Sequence, residues 1–275
     1  MFISVKIRYM LSTFTKSAMT VGTAAGCLLM AASSANAFSF TTNFTPTVRD
    51  AEDDILLQSV EVDGNIIDFS DLSVVSGANI LANDQINNDP INNPQNQGAA
   101  SADVVDNSAS GVAMEQLTPG DANSEAAIVS NLSSQNLGHI IDTEDSGIFE
   151  IELNFDKAFS SLLFWERGLN SDLGVRIGGK EIILTRDLFE DADYDLDTTE
   201  INNNQNVGSY GLDLAAHGLS GKYTSAILFT RDGFNGPDFK VAGVAAVPEP
   251  TTVLGLTAVA GAFVASRRRK NDRTA

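Results

Sequence analysis

The amino-acid sequence predicts an all-β fold in the main: an antiparallel, jelly-roll-like β-sandwich with one or two short helices. An N-terminal signal helix and a C-terminal transmembrane helix are expected to flank it. Between residues 38 and 244, short apolar runs recur between glycine-containing turns, and several of these runs alternate apolar with polar residues. One buried and one wet face per strand is typical of antiparallel sheets. Long apolar segments occur only near the two ends of the 275-residue chain.

Residues 1–37 have the organisation of a secretory signal. A basic region over 1–16 precedes an apolar stretch over 17–32, and Ala35-Asn36-Ala37 follows as an A-x-A site. This order predicts export and cleavage by signal peptidase after Ala37. The only cysteine, Cys27, lies within the signal, so the mature chain has no thiol for disulfide, metal or nucleophilic chemistry. A lipoprotein signal ending at Cys27 is the alternative.

Residues 38–244 are predicted to form a single ectodomain. At this length one domain can bury about 70 % of the surface that its unfolded chain exposes. Nine bases stand against 34 acids in this range, so its net charge is about −25. Such a surface repels nucleic-acid phosphates and anionic headgroups, which argues against a nucleic-acid partner. Divalent cations are the natural counterions, although acidity that only keeps an exported protein soluble is the simpler explanation.

The first half of the ectodomain contains a hairpin, a loop and a helix. Strands over 55–62 and 66–69 flank the turn Asp63-Gly64-Asn65. Residues 83–97 are dominated by Asn, Asp, Gln and Pro and predict an exposed loop. Apolar residues near helical spacing predict a short helix over 123–132. A second Asn-rich stretch, 202–206, is also predicted to be a loop.

The second half contains the clearest strand patterns. Residues 147–155 alternate apolar and polar side chains, and 161–165 follow as a more fully apolar strand. Runs over 173–177 and 182–184 flank Gly178-Gly179, which predicts a hairpin whose turn tolerates positive φ. Two further strands are expected over 223–230 and 239–244. Short strands with glycine turns favour a sandwich.

An acidic run could hold a metal ion. Carboxylates occur nearly every second residue, at Asp191, Asp193, Asp195, Asp197 and Glu200. Carboxylate oxygens are the ligands that Ca²⁺ prefers, and the cell exterior supplies this ion. The spacing is not that of an EF-hand, so the hypothesis is an irregular Ca²⁺ loop, with a solvated acidic loop as the alternative. Apart from this calcium hypothesis, no cofactor is expected.

The sequence contains little that is typical of a catalytic site. Trp165, the sole tryptophan, could stack on a sugar, since an aromatic face beside polar groups suits a carbohydrate; a core tryptophan is the alternative. No G-x-S-x-G or H-E-x-x-H motif accompanies His139 and His217. We therefore expect a non-enzymatic protein. A carbohydrate-binding module using Trp165 is one alternative, and a polysaccharide-acting hydrolase using a carboxylate pair is the other.

The last 31 residues, 245–275, contain an apolar run with a proline-containing motif before it and a basic cluster after it. Val247-Pro248-Glu249-Pro250 precedes an apolar run over 251–266, and Arg267-Arg268-Arg269-Lys270 follows. The prolines keep the motif extended and out of the following helix. Sixteen residues rise about 24 Å as a helix, against a hydrocarbon core of about 30 Å. The basic cluster predicts a cytoplasmic C-terminus with the ectodomain outside.

This tail resembles the PEP-CTERM sorting signal, which an exosortase in the inner membrane of Gram-negative bacteria reads. The resemblance implies cleavage near Pro248–Pro250 and delivery to the cell surface, outer envelope or exopolysaccharide matrix of a biofilm. A membrane anchor that is never cut is the alternative. Residues 164–168 and 170–173 also resemble the exosortase-dependent surface proteins of cyanobacteria, a likeness that implies no activity.

Overall fold

The computed structural model describes residues 37–46, 53–85, 98–105, 111–113, 117–199 and 204–245. They all belong to one compact unit. Outside the described residues lie the signal up to Asn36, the tail from Ala246 with its motif, transmembrane segment and basic cluster, Glu200, and most of the loop over 83–97. Among the residues that are described, no helix is long and apolar enough to cross a membrane.

Strands dominate the described chain. In chain order they are β1 (Ala37–Phe38), β2 (Thr41–Thr45), β3 (Leu56–Val62), β4 (Asn65–Asp68), β5 (Val75–Asn83), β6 (Ala100–Asp103), β7 (Ile140–Thr143), β8 (Phe149–Phe159), β9 (Ser161–Arg167), β10 (Leu173–Ile177), β11 (Lys180–Leu184), β12 (Glu190–Leu196), β13 (Gln205–Asp213), β14 (Tyr223–Phe229) and β15 (Asp238–Val244). The helix α1 (Ala122–Ser133) lies between β6 and β7, and single 3₁₀ turns occupy Phe69–Asp71 and Arg186–Leu188.

The strands form three sheets in which the named pairs are all antiparallel. The central sheet has the order β1-β13-β9-β15-β7-β6, and β12 also pairs with β13. The outer sheet has the order β11-β10-β14-β8-β5, and the small sheet has β2-β3-β4. The prediction of a mainly β, antiparallel fold with a short helix is confirmed for the described residues.

The middle strands of the central sheet are buried on both faces. Along β9, Leu162 and Phe164 belong to the hydrophobic cluster shared with the outer sheet. The alternate residues Leu163 and Trp165 belong to a second cluster shared with the small sheet. Every residue of β9 and of β15 is consequently buried. This is why residues 161–165 are apolar at successive positions, whereas residues of β8 alternate between a buried and a wetter face.

Local signals correctly located several elements. Asp63 and Gly64 form the β3–β4 turn with φ of 50° and 77°, and Gly178-Gly179 forms the β10–β11 turn. Helix α1 begins after Asp121, whose carboxylate accepts a hydrogen bond from the amide of Ser124 at 3.0 Å. An aspartate at this position satisfies a free amide of the first turn. The helix prediction over 123–132 is therefore confirmed within a residue at each end.

Other segments differ from expectation. The acidic run was expected to be a loop, but Glu190–Leu196 is β12. Its apolar side chains at Ala192, Tyr194 and Leu196 enter the second cluster, and this burial outweighs the strong turn tendency of aspartate. Strand β13 starts at Gln205, inside the Asn-rich stretch predicted as a loop. Strands β6 and β7 lack a clear sequence pattern because all their residues are buried.

Gly174 on β10 offers a test of packing in the outer sheet. The ring of Phe229 on the paired strand lies over Gly174, and a Cβ added there would overlap the ring. The guanidinium groups of Arg176 and Arg231 lie over the same ring, 5.0 and 4.9 Å from its centroid. We expect Gly174→Ala to lower the free energy of unfolding by about 1–3 kcal/mol through overpacking.

The matched control is Gly77→Ala on β5 of the same sheet, where the added Cβ would meet Asn154 Cβ at an ordinary 3.5 Å. Urea denaturation of both variants measures the difference. We expect the control to change stability by less than about 0.5 kcal/mol, as is usual for substitutions away from packed features. Equal stability of the two variants would contradict the packing described here.

Candidate functional site

Two clefts open on the described surface of the domain. The edge cleft, of about 340 Å³, lies beside Ser39–Thr42, Glu61–Gly64 and Glu190–Asp193. The acid-pair cleft, of about 190 Å³, is lined by Asp142–Asp145, Asn170, Gln205, Asn235, Gly236 and Asp238. Both are polar and both carry several carboxylates, so each is a candidate binding site.

The acidic run contributes two of its members to the edge cleft. Asp191 and Asp193 line it together with Glu61 and Asp63 of the β3–β4 hairpin. Asp193 has φ of 63°, and its amide donates to Asp191 Oδ1 at 2.9 Å. The β12–β13 register shifts between Asp191 and Asp195, so the strand is irregular at this point.

The rest of the run does not reach the same cleft. Asp195 and Asp197 are absent from its lining, and Glu200 lies outside the described residues. Side chains two residues apart on a strand are about 6.6 Å apart, whereas Ca²⁺ ligands lie about 2.3–2.6 Å from the ion. One ion therefore cannot bind all the carboxylates of an extended run. Within the described ranges, no three acidic, histidine or cysteine side chains are grouped closely enough to hold a metal.

Trp165 is not a sugar platform in this structure. Its side chain is 2 % exposed and packs edge-on against Phe40 with ring centroids 5.3 Å apart. The indole Nε1 donates a hydrogen bond to Thr42 Oγ1 at 2.9 Å. A stacking platform requires an accessible ring face, so the carbohydrate role assigned to Trp165 is wrong and the core alternative holds. The small sheet, which the sequence pattern could not position, covers it.

The acid-pair cleft contains the most unusual electrostatics of the domain. Asp238 on β15 lies opposite Arg167 on β9, and the register of Phe239 with Ile141 places Asp238 opposite Asp142 on β7. All three side chains are buried. Arg167 Nη1 lies 3.9 Å from Asp142 Oδ1 and 3.8 Å from Asp238 Oδ2.

One guanidinium thus faces two carboxyl groups. Burial, and then the neighbouring Asp142 carboxyl, hold the pKa of Asp238 well above its usual range, although Arg167 opposes this shift. The two carboxyl groups face each other across the paired strands, and a hydrogen bond between them would require a proton on one of them. Asp238 Oδ1 accepts a further hydrogen bond from the Thr143 amide at 2.8 Å.

This pair does not have the geometry of a glycoside hydrolase. Retaining and inverting enzymes place their carboxyl groups about 5–5.5 and 6.5–9.5 Å apart, with the sugar or a water between them. Asp142 and Asp238 instead occupy facing positions on adjacent strands, where their carboxyl groups interact directly. The cleft is also smaller than the roughly 300–1,000 Å³ of typical small-molecule sites. The arrangement is better suited to holding a proton than to cleaving a sugar.

Glu166, adjacent to Arg167 on β9, is a second buried acid. Its side chain is fully buried, and burial raises its pKa to about 8. Glu166 Oε2 accepts a hydrogen bond from the Leu169 amide at 2.8 Å, which fixes the turn after β9. This turn has left-handed residues at Gly168 and Leu169.

The histidines do not join a catalytic group. His139 is buried beside the Asn136 side chain, 3.1 Å from its Nδ2. His217 is half-buried in the turn after β13, and its carbonyl accepts a hydrogen bond from Lys180. Neither side chain lines either cleft.

Sequence reasoning missed Asp142, Asp238, Arg167 and Glu166 as a group. One signal was available: Glu166-Arg167 ends an apolar strand, and Asp238 and Lys240 flank Phe239 in another. Charged residues within such runs indicate buried polar contacts. The sequence could not show that these strands are neighbours.

Comparisons with protein-family models, with curated proteins and with solved structures found no match to this chain. The site must therefore be interpreted from its own geometry.

Because burial raises the pKa of Glu166, the stability of the domain is expected to depend on pH. The folded state keeps its proton up to about pH 8, whereas the unfolded chain releases it near pH 4.5. The stability from this group is complete below pH 4.5 and is lost as pH rises to about 8. We expect Glu166→Gln, which stays neutral, to gain melting temperature relative to wild type progressively from pH 5 to pH 8.

Thermal denaturation at half-unit pH intervals measures this gain. The control is Glu152→Gln on β8, a half-buried glutamate on the wetter face, which should follow the wild-type profile. A constant difference between Glu166→Gln and wild type over the whole range would show that Glu166 is ionised in the folded state.

Proposed function

We propose that this chain is an exported, non-catalytic surface or matrix protein with a structural or adhesive role. On this proposal signal peptidase removes residues 1–37, an exosortase processes the tail, and the β domain reaches the cell surface or an exopolysaccharide matrix. The N-out, C-in anchor in the inner membrane would be transient. The tail motif and the basic cluster support the sorting step by their order in the sequence.

The single structural observation that supports this proposal is the position of the domain ends. Strand β15 ends at Val244, and the Val247–Pro250 motif begins three residues later. At the other end, Phe38 pairs with Gly211 of β13, directly after the signal peptidase site. Both proposed cuts would leave every strand intact except for the loss of Ala37 from β1. A domain that is complete between its two processing sites can be released without unfolding.

The strand order supports the finer assignment of a jelly roll. The strands β7-β15-β9-β13 lie side by side in one sheet and β8-β14-β10-β11 in the other. In chain order, β7 and β9 lie in the central sheet, whereas β8, β10 and β11 lie in the outer sheet. The last two strands then insert between earlier ones: β14 lies between β8 and β10, and β15 lies between β7 and β9. Two interlocked Greek keys give this arrangement.

The non-catalytic part of the proposal rests on the two clefts. The acid pair is too close for glycoside hydrolysis, and Trp165 is unavailable for sugar stacking. What the domain offers a matrix is a strongly acidic surface. Such a surface would meet anionic polysaccharide only through divalent cations, so weak calcium binding by Asp191 and Asp193 at the edge cleft is part of the proposal, although the described residues group no three acidic side chains closely there.

Intact mass spectrometry of protein from the medium and from membranes of its native host tests the sorting proposal. We expect a mature form that begins at Phe38 and ends between Pro248 and Pro250. A species that retains Arg267–Ala275 would mean that the tail is a permanent anchor. A species that retains the first 37 residues would contradict export.

A variant pair separates motif recognition from general effects of proline. Pro248→Ala with Pro250→Ala should abolish release and accumulate the uncut form in membranes, because the motif can then continue into the following helix. Pro119→Ala, at an exposed position before α1, is the matched control and should be processed like wild type. Equal release of both variants would exclude a role for the motif.

Calcium binding at the edge cleft is tested by titration calorimetry of the mature domain. We expect weak binding, with Kd in the range of about 10⁻⁴–10⁻³ M that is typical of extracellular modules. Asp191→Asn with Asp193→Asn should abolish the signal. Asp187→Asn, in the 3₁₀ turn before β12, is the control and should keep it. Absence of heat at millimolar Ca²⁺ in the wild type would remove calcium from the proposal.

A further inference from the structure

The junction between β7 and β15 has the fewest register pairs among the described connections of the central sheet. Phe239 and Ile141 are the only register pair that joins these two strands. By comparison, β15 and β9 share seven register pairs, and β7 and β6 share four. Side chains must therefore contribute more of the attachment between β7 and the start of β15 than at the other junctions.

Two side chains of β7 and one of β15 make that attachment. Asp238 Oδ1 accepts from the Thr143 amide, and Thr143 Oγ1 donates to the Pro237 carbonyl, both at 2.8 Å. The carboxyl group of Asp142 faces that of Asp238 across the two strands and raises its pKa. The preceding segment is held by Ser171, whose Oγ donates to the carbonyls of Asn235 and Gly236.

The charges around the pair do not balance if both acids are ionised. Among the described residues, Arg167 on β9 is the base that faces both acids, and its Nη1 also donates to Thr198 Oγ1 at 3.1 Å. The other charged groups described at the cleft are Glu144 and Asp145, which are acidic. On β6, Asp103 faces the same side of the sheet, opposite Ile140.

Lys240 does not compensate, because its Nζ donates to the carbonyls of Asn131 and His139 at 2.7 and 3.1 Å. Burial lowers its pKa to about 7, so it is only partly charged at neutral pH. A second ionised carboxylate beside Arg167 would thus be an uncompensated buried charge, which is strongly destabilising.

We propose that Asp142 and Asp238 form an acid latch: while they hold a proton between them they fasten β15 to β7, and loss of that proton releases this edge and opens the acid-pair cleft. The latch is closed at acidic pH, because the raised pKa of Asp238 keeps its proton on. It weakens as pH rises through that pKa. The proposal concerns the domain alone and does not depend on how the tail is processed.

Amide hydrogen exchange of the mature domain from pH 5 to pH 9, corrected for intrinsic exchange rates, tests the latch. The Thr143 amide donates to Asp238 and reports local opening. The Leu163 amide, on the fully buried β9, reports global unfolding. We expect Thr143 protection to fall with rising pH by up to about tenfold per pH unit, the limit for loss of one proton, and to fall more than Leu163 protection does.

Asp238→Asn imitates the protonated latch, since its amide can donate to Asp142 while its oxygen accepts from Thr143. In Asp238→Asn we expect the ratio of Thr143 amide protection to Leu163 amide protection to stay the same at every pH. The control is Asp145→Asn, an exposed acid on the rim of the same cleft, which should keep the wild-type pH dependence. Parallel pH dependence of wild type and Asp238→Asn would overturn the latch.

A second measurement keeps the proposal testable if Asp238→Asn does not fold. Carbon-13 NMR of the wild-type side-chain carboxyl groups follows each titration directly. A carboxyl signal of Asp238 that titrates well above the ordinary aspartate range supports the latch. Titration of both Asp142 and Asp238 in the ordinary range, near pH 4, would overturn it.

Discussion

Burial of the middle strands of the central sheet on both faces is the constraint on which the rest of this structure depends. A sheet that faces water on one side accepts polar residues at every second position, but β9 and β15 have no such side. Their apolar residues fill two separate clusters, one against the outer sheet and one against the small sheet. The small sheet is therefore structural cover for the central sheet.

The same constraint explains the buried polar groups. Charged residues at the ends of β9 and β15 lie in the interior, where an unsatisfied charge costs several kcal/mol. Arg167 is consequently placed between two acids, Glu166 accepts the amide of Leu169, and Lys240 binds carbonyls at the end of α1. Asn131 completes this docking, because its amide bonds to the carbonyls of Asp103, Val112 and Ile140. Polar contacts thus fix the helix and the strand ends against an otherwise apolar layer.

The division between interior and surface also bears on function. Aromatic and histidine side chains, which commonly build binding and catalytic sites, are used here for packing: Trp165 and His139 are both buried. The two described clefts are instead polar and rich in carboxylates. On the proposed function, this acidic surface would keep the exported domain hydrated, and the proposed latch would make one of its edges responsive to pH.

The sequence by itself determined what depends on neighbouring residues. The turns at Asp63-Gly64 and Gly178-Gly179, helix α1 and the alternation of β8 follow from local sterics and periodicity. The two terminal segments were interpreted from composition in the same way.

Only the tertiary structure decided what depends on distant residues. Asp142 and Asp238 are 96 positions apart and meet because β15 inserts between β7 and β9. Glu190–Leu196, which holds most of the acidic run, is a strand because Tyr194 and Leu196 fill a core that residues far away in the chain complete. Such pairings are set by burial summed over the whole domain, and no local pattern records them.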